Sequence, residues 1–254
     1  WRRGIATADV DYSLQEASQR LRTDAARVID HLEGGGSPDD EYVVRKVRRV
    51  NEGCAAMNAN IESQAARWLD AGRIVGLVGG DHSTPYGLIR ALGARHAEFG
   101  ILHIDAHCDL RDAYEGFEFS HASIMFNVLR DVPQAVRIAQ VGVRDFSEGE
   151  AALAASSERI ATFDDLSLAA ARFRGETWDE QCRRIVGTLP REVYVSFDID
   201  GLTFENCPHT GTPVSGGLTF NEAVWLLAVL ARSGRRIIGF DVVEVCPAPD
   251  ERID

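Results

Sequence analysis

Three short runs place acids and imidazoles directly after apolar segments. They are Gly79-Gly80-Asp81-His82-Ser83 after residues 74–78, Asp105-Ala106-His107-Cys108-Asp109 after 101–104, and Asp198-Ile199-Asp200 after 193–197. On an extended chain, positions i, i+2 and i+4 share one face, so such spacing aims donor atoms at one point with little loop ordering. Asp105, Asp109, Asp198 and Asp200 with His82 and His107 carry too much like charge to gather without a cation, and two divalent ions would offset the four carboxylates. A mixed oxygen and imidazole set suits Mn²⁺ or a similar ion rather than a thiolate-seeking metal. Carboxylates shared by two ions about 3.5–4 Å apart are the usual frame for metal-assisted hydrolysis, in which a bridging hydroxide is the nucleophile near neutral pH. Taken singly, Gly-Gly-Asp-His also describes a turn beside a core histidine, and Asp-x-Asp a solvated strand end. Asp-x-His-x-Asp closing an apolar strand has no comparable structural reason, and the three together read as a metal site.

The elements that must position these residues follow from periodicity. Residues 13–32 carry Leu14, Ala17, Leu21, Ala25, Val28, Ile29 and Leu32 at helical spacing, with Ser13 and Glu16 as a capping box. Gly34-Gly35-Gly36-Ser37-Pro38 breaks that helix, and Asp39 or Asp40 caps a second helical stretch, read as two pieces, which runs to Leu69 and stops at Gly72. From residue 73 apolar runs at 74–78, 101–104, 136–141, 193–197 and 237–243 alternate with helical stretches near 85–96, 148–157, 177–187 and 220–232. Near-continuous apolar strands separated by helices predict a mainly parallel open sheet in a three-layer α/β/α fold, whose ligands bind outside the carboxyl ends of the strands. No repeat or linker divides the chain, so 1–254 is expected to form one domain, with 1–72 helical and 73–254 carrying the site.

Composition narrows the function classes. A formal net charge of −12 disfavours nucleic acid and anionic membranes and is compatible with a cationic small molecule. No apolar run approaches the roughly 18 residues of a membrane span, and no apolar segment follows Arg2-Arg3 as a signal peptide requires. The chain begins without Met and ends at Ile253-Asp254, which reads as a trimmed chain. The five scattered cysteines, Cys54, Cys108, Cys182, Cys207 and Cys246, form no CxxC pair and fit a reduced, cytoplasmic protein.

Gly80-Asp81-His82-Ser83, Asp105-Ala106-His107-x-Asp109 and Ser196-Phe197-Asp198-Ile199-Asp200-Gly201 resemble the three signature segments of the ureohydrolases, the arginase and agmatinase relatives. Thr210-Gly211-Thr212-Pro213-Val214 followed by Gly216-Gly217-Leu218 resembles the continuation of the third segment. The resemblance implies a binuclear manganese centre that hydrolyses a guanidinium to urea and an amine, and assembly as trimers or hexamers. By position it implies that His82, Asp105, Asp109 and Asp198 hold the more exposed ion and His107, Asp105, Asp198 and Asp200 the other. It also makes His121, in Glu118-Phe119-Ser120-His121, the proton-shuttling histidine, and Glu244 the carboxylate that docks the guanidinium with Thr212 assisting. Asp109, His121 and Glu244 are thus the expected catalytic residues.

Departures from the pattern bear on substrate. The Asp-Pro expected after the third segment is replaced by Thr203-Phe204, which predicts a reshaped loop rather than a lost ligand. Arginases resemble one another in an Asn where this chain has Arg111 and in an acidic residue where it has Ser147, so arginine is disfavoured. The Glu-Phe-x-His segment looks more like the agmatinases. Arg111 offers a second reading: facing the pocket, it would pair with the carboxylate of a guanidino acid such as guanidinobutyrate. Facing solvent, it would leave Asp112, Glu115 and Glu118 to meet a distal ammonium. Free guanidine as substrate, a single-zinc deacetylase on a related fold, and a non-catalytic metal-binding member are the remaining alternatives. The last would be expected to lack a ligand or His121, and this chain lacks neither.

Overall fold

The computed structural model describes residues 4–8 and 12–246, and the chain divides into two compact units, Trp1–Met57 with Glu115–Phe117 and Asn58–Tyr114 with Glu118–Asp254. The division falls inside a helix, where no linker composition marks it.

In the smaller unit α1 (Tyr12–Glu33) is followed by the first part of α2 (Glu41–Asp70), around a core of Val28, Val43, Val50 and Phe117. Helix α1 already includes Ser13, so the expected Ser13–Glu16 capping box does not mark its start. Helix α2 is one helix of 30 residues rather than two pieces, because nothing between Glu41 and Asp70 breaks the pattern. Its end matches expectation: Gly72 takes φ 72°, its N–H donates to the Leu69 carbonyl, and the Arg73 N–H donates to that of Trp68. Asp24 is buried in this unit and is met by Lys46 and by Arg49 (Nη1 at 3.0 Å).

The larger unit is built on six parallel strands: β1 (Val75–Val78), β2 (Phe99–Ile104), β3 (Ala135–Val141), β4 (Ile160–Phe163), β5 (Glu192–Asp198) and β6 (Arg236–Val243). Their spatial order is β1-β6-β5-β2-β3-β4, with every pairing parallel. Five of these strands are the apolar runs of the sequence. The sixth, β4, has only four residues (Ile-Ala-Thr-Phe), too few to stand out. Helices α3 (Tyr86–Gly93), α4 (Ile124–Asp131), α5 (Glu148–Ser156), α6 (Asp165–Phe173), α7 (Trp178–Gly187) and α8 (Phe220–Arg232) complete the alternation. Both faces of the sheet are apolar. Ile101 and Ile138 pack with Leu88, Leu92, Met125 and Val128 of α3 and α4, whereas Leu102, Ile104 and Val195 pack with Leu168, Ile185 and Leu226 of α6, α7 and α8. That is the three-layer α/β/α arrangement. Capping boxes at Ser147/Glu150, Thr177/Glu180 and Thr219/Glu222 fix the starts of α5, α7 and α8.

From β2 the chain moves outward to β4 and then returns on the other side of β2 as β5 and β6. The reversal at β2 and β5 opens a crevice at the carboxyl end of the sheet, where a doubly wound fold places its ligand.

Candidate metal centre and active site

The ends of β1, β2, β5 and β6 converge on this crevice. The three signature runs are therefore not at successive strand ends in the chain, since β3 and β4 intervene; the sheet order brings them together. After β1 the chain turns through Gly79 and Gly80 (φ 112° and 68°), left-handed conformations that favour glycine, and a Cβ on Gly80 would lie 2.6 Å from Thr84 Cγ2. The Asp81 carboxylate accepts the Ser83 N–H at 2.8 Å, closing a turn that presents His82. Gly201 lets the third segment lie on the second, because a Cβ there would meet the Asp105 nitrogen at 2.8 Å. The non-glycine residues with positive φ include Asp109 (53°) and Glu244 (59°), both predicted site residues, and left-handed backbone costs roughly 1–2 kcal/mol in a residue with a Cβ. Two N–H groups opening α4, those of Met125 and Phe126, donate to the Asp109 carbonyl, and the Glu244 N–H donates to Gly80.

The six predicted ligands come together. His82 Nδ1 lies 2.9 Å from Asp105 Oδ2, 2.9 Å from Asp109 Oδ2 and 3.2 Å from Asp198 Oδ2, all buried. Beside them, His107 Nδ1 lies 3.1 Å from Asp200 Oδ2 and 3.4 Å from Asp105 Oδ1. Among the described residues, potential ligand atoms of His82, His103, Asp105 and Asp109 form one tight group and those of Asp105, His107 and Asp200 a second, with Asp105 in both. His82 Nδ1 and Asp109 Oδ2 are buried polar atoms with no hydrogen bond. The other nitrogen of His82 is engaged with the Ser196 hydroxyl at 2.8 Å, so Nδ1 is the one aimed at the carboxylates. An orphaned imidazole nitrogen facing three carboxylates fits a cation between them.

The electrostatics point the same way. Burial, then the neighbouring Asp105, raise the pKa of Asp109 and push that of Asp198 well above the ordinary carboxylate value. Burial alone would lower the histidines. Instead Asp105, Asp109 and Asp198 hold His82 well above the usual imidazole range, and Asp105 and Asp200 raise His107 to about 11. Without cations, this cluster collects protons.

Around it runs an open cleft whose lining includes His107, Asp109, Arg111, Tyr114, His121 and Thr212. His121 opens a short 3₁₀ turn (His121–Ser123), and its ring stands edge-on to Tyr114 at 5.8 Å. Glu244 Oε1 accepts the His82 N–H at 2.9 Å; burial raises its pKa, against which that N–H acts. Thr212 donates to Asp200 Oδ2 at 3.2 Å. Arg111 lines the cleft stacked over Tyr114 at 5.2 Å, with Nε 3.6 Å from Glu150 Oε2, so its charge is partly offset. The Thr203-Phe204 segment leads into a short 3₁₀ turn (Phe204–Asn206), and Leu202 bridges to Leu218.

Sequence reasoning missed several supporting residues. Arg144 Nη2 donates to the carbonyls of Asp200 (2.7 Å) and Leu202 (3.1 Å), clamping the third segment. Buried Asp241 accepts from Tyr194 (2.7 Å) and from the Phe197 N–H (3.1 Å). His103, on β2, bonds Asp105 at 2.8 Å. The signal for His103 was present, because it extends the two-residue period of Asp105, His107 and Asp109 back into an apolar strand.

An α/β/α sheet thus carries, at its switch point, two His/Asp groups that could each hold a metal ion. The family model of the arginase family matches residues 12–253, and the chain belongs to that family. It is 34% identical over 187 residues to an N(1)-aminopropylagmatine ureohydrolase from Thermus thermophilus, covering 74% of this chain and 60% of the relative. It is also 34% identical to an agmatinase from Serratia proteamaculans, covering 77% and 60%. A solved structure described as a hypothetical agmatinase from Burkholderia thailandensis superposes with a TM-score of 0.61 at 29% identity, over 78% of this chain and 58% of that one. The proclavaminate amidino hydrolase from Streptomyces clavuligerus superposes at 0.64 with 26% identity, over 75% and 61%. The chain thus spans about 60% of the length of these curated relatives.

Proposed function

We propose that this chain carries the active site of a binuclear metal-dependent amidinohydrolase that converts agmatine and water to putrescine and urea. The observation that carries the reading is His82 Nδ1, buried without a hydrogen bond and facing Asp105, Asp109 and Asp198 at 2.9–3.2 Å. His82, Asp105, Asp109 and Asp198 would hold one ion and His107, Asp105, Asp198 and Asp200 the other. Oxygen and imidazole donors without thiolate suit two Mn²⁺ per chain. When bound, such ions supply Lewis acidity and make water acidic enough to attack near neutral pH.

The remaining roles belong to side chains. Glu244 receives the guanidinium N–H groups through the oxygen not engaged with His82. Thr212 steadies Asp200 at the cleft wall, and His121 gives the departing amine its proton. Tyr114 and Arg111, stacked on each other, also line the cleft. With Arg111 offset by Glu150, the cleft favours a cationic tail over an acidic one. A guanidino acid is the second reading, favoured by the presence of Arg111 in the lining. The relatives' names add N(1)-aminopropylagmatine as a candidate with a longer cationic tail. Among the described residues no helix is long and apolar enough to cross a membrane, and no disulfide joins the five cysteines; a cytoplasmic location is part of the proposal. Assembly as a homotrimer or hexamer belongs to the same proposal.

The test is urea release from agmatine, N(1)-aminopropylagmatine, 4-guanidinobutyrate, arginine and guanidine, with manganese-loaded and metal-stripped protein. Metal-dependent urea from agmatine or its aminopropyl derivative is expected. Release from 4-guanidinobutyrate alone would move the assignment to a guanidino-acid hydrolase. No urea from any substrate, with two ions bound, would overturn the hydrolase reading.

A further inference from the structure

His103 has no task in the mechanism above, yet it is fully buried and in contact with Asp105, the acid common to both ligand groups. Its Nε2 lies 2.8 Å from Asp105 Oδ2, and an ionised carboxylate only accepts, so Nε2 carries the proton. On the other side of the ring, Nδ1 lies 3.3 Å from Gln140 Nε2. The orientation of that amide is fixed by its neighbours. Gln140 Nε2 also lies 2.7 Å from the Cys108 carbonyl, a pure acceptor, and Gln140 Oε1 accepts from the Thr162 hydroxyl at 3.2 Å. The amide therefore turns its N–H toward His103, and Nδ1 must accept.

The three side chains form a row at one level of the sheet, since His103 pairs with Gln140 across β2 and β3, and Gln140 with Thr162 across β3 and β4. His103 and Gln140 are both inaccessible to water, so no solvent replaces a missing partner.

With Nε2 donating and Nδ1 accepting, neither ring nitrogen has a free lone pair. We propose that His103 is a positioning residue for the metal centre and not a ligand: its Nε2–H, set by the Thr162–Gln140 row, holds the Asp105 carboxylate in the orientation that both ions require. The inference rests on the proposed role of Asp105 as a shared ligand. Asp105 Oδ1 is held from the other side by the His107 N–H at 2.6 Å, so each oxygen has one donor from the chain that fixes it and one flank toward the cluster. Outer partners of this kind orient ligands and tune affinity.

Two measurements on the full chain test this, and neither needs turnover. Long-range ¹H–¹⁵N spectra of the metal-free protein, with the His103 signal assigned by its absence in His103→Gln, are expected to show the Nε2–H tautomer. Gln140→Glu replaces the N–H facing Nδ1 with an acceptor and is expected to place a proton on Nδ1. An Nδ1–H tautomer in the unmodified chain would overturn the proposal. Calorimetric titration with Mn²⁺ alone is expected to show His103→Leu binding about 10–100-fold more weakly than the unmodified chain. His103→Gln, whose amide N–H can occupy the place of Nε2–H, is expected to recover most of that loss. Equal Mn²⁺ affinity in His103→Leu and the unmodified chain overturns the proposal, as does a Gln variant as weak as the Leu variant, which would mean packing alone. If His103→Leu does not fold, the tautomer pair still decides. An unmodified chain that binds two Mn²⁺ but releases no urea would sink the hydrolase reading and leave the His103 assignment standing.

Discussion

Asp24 in the helical unit and Asp198 at the sheet are both carboxylates taken out of water, with side chains 8% and 4% exposed, yet the chain treats them differently. Asp24 is met by Lys46 and Arg49 from α2, and the Lys46 contact holds its pKa below the ordinary carboxylate value. Among the described residues the ion-pair partners of Asp105, Asp109, Asp198 and Asp200 are His82, His103 and His107, with no Lys or Arg. Asp198 accordingly rises where Asp24 falls. Both are shielded from water, but burial is the leading influence on Asp198 and the Lys46 contact the leading one on Asp24, and the supply of fixed positive charge differs as well. At Asp24, where a buried acid serves the fold, this chain provides its own cations. At the crevice it leaves the charge for something to be bound.

The largest test separates stability from function at these two acids. Asp198→Asn keeps the acceptor for the Asp200 N–H (2.9 Å) and removes one crowded charge. Urea release is expected to fall on the order of 10³-fold or more, several kcal/mol of lost metal assistance. The metal-free variant is expected to melt at a higher temperature than the unmodified chain, because a repulsion has gone. Asp24→Asn should do the reverse, lowering the melting temperature while leaving Mn²⁺ affinity unchanged. A metal-free Asp198→Asn protein less stable than the parent would break the comparison.

Acidity should sharpen it. Asp198 has a folded pKa above its unfolded one, so its ionised form destabilises the metal-free fold, and that penalty, full above the folded value, fades as pH falls below it toward 3.8. His107, raised to about 11, contributes stability that is complete below 6.5 and lost as pH rises through the folded value. Both signs predict that the metal-free chain loses stability as pH rises, the His107 contribution between 6.5 and about 11. Saturating Mn²⁺ should flatten that slope, and Mn²⁺ affinity should rise with pH as ions replace protons. A metal-free melting temperature that climbs over this range would refute the charge assignment. Asp24 has the opposite sign, its contribution vanishing only in acid, below the ordinary value of 3.8.

His121 stands outside the crowded cluster, on the cleft wall. His121→Asn is expected to lower kcat about 10²-fold while two Mn²⁺ still bind. Loss of metal with loss of rate would make it part of the cluster rather than a proton donor.

Much of this was legible because the site obeys a local rule. A two-residue period at a strand end is visible in one stretch of sequence, and Asp105, His107 and Asp109 announce themselves that way. The central strands, β2 among them, show as near-continuous apolar runs. What stayed hidden depends on neighbours far along the chain. Gln140 and Thr162 look like ordinary polar residues of β3 and β4, and only the sheet register places them behind His103. Arg144 became a clamp only once its target carbonyls at Asp200 and Leu202 were in place. Helices α4 and α6, only eight and nine residues long, are amphipathic but too short to stand apart from the loops around them.

The smallest predicted effect lies at a third kind of buried acid. Glu150 is 5% exposed and is satisfied mainly by N–H and hydroxyl donors: Leu110 N–H at 3.2 Å, Ser147 N–H at 2.9 Å and Ser147 Oγ at 2.8 Å. Its cation, Arg111, is half-exposed and 3.6 Å away, a weaker match than Lys46 gives Asp24. Arg111→Ala therefore should not unfold the chain, because the hydrogen bonds to Glu150 remain. It should instead leave the cleft more negative. An exposed pair of this type contributes about 0.2–1 kcal/mol, so KM for agmatine is expected to fall by at most about fivefold, with kcat unchanged. Under the guanidino-acid reading Arg111 would hold the substrate carboxylate, and 4-guanidinobutyrate turnover would fall steeply while agmatine was unaffected. Equal KM values for both substrates before and after the change would place Arg111 outside substrate recognition and leave Glu150 as a purely structural acid, settled like Asp24 from within the chain.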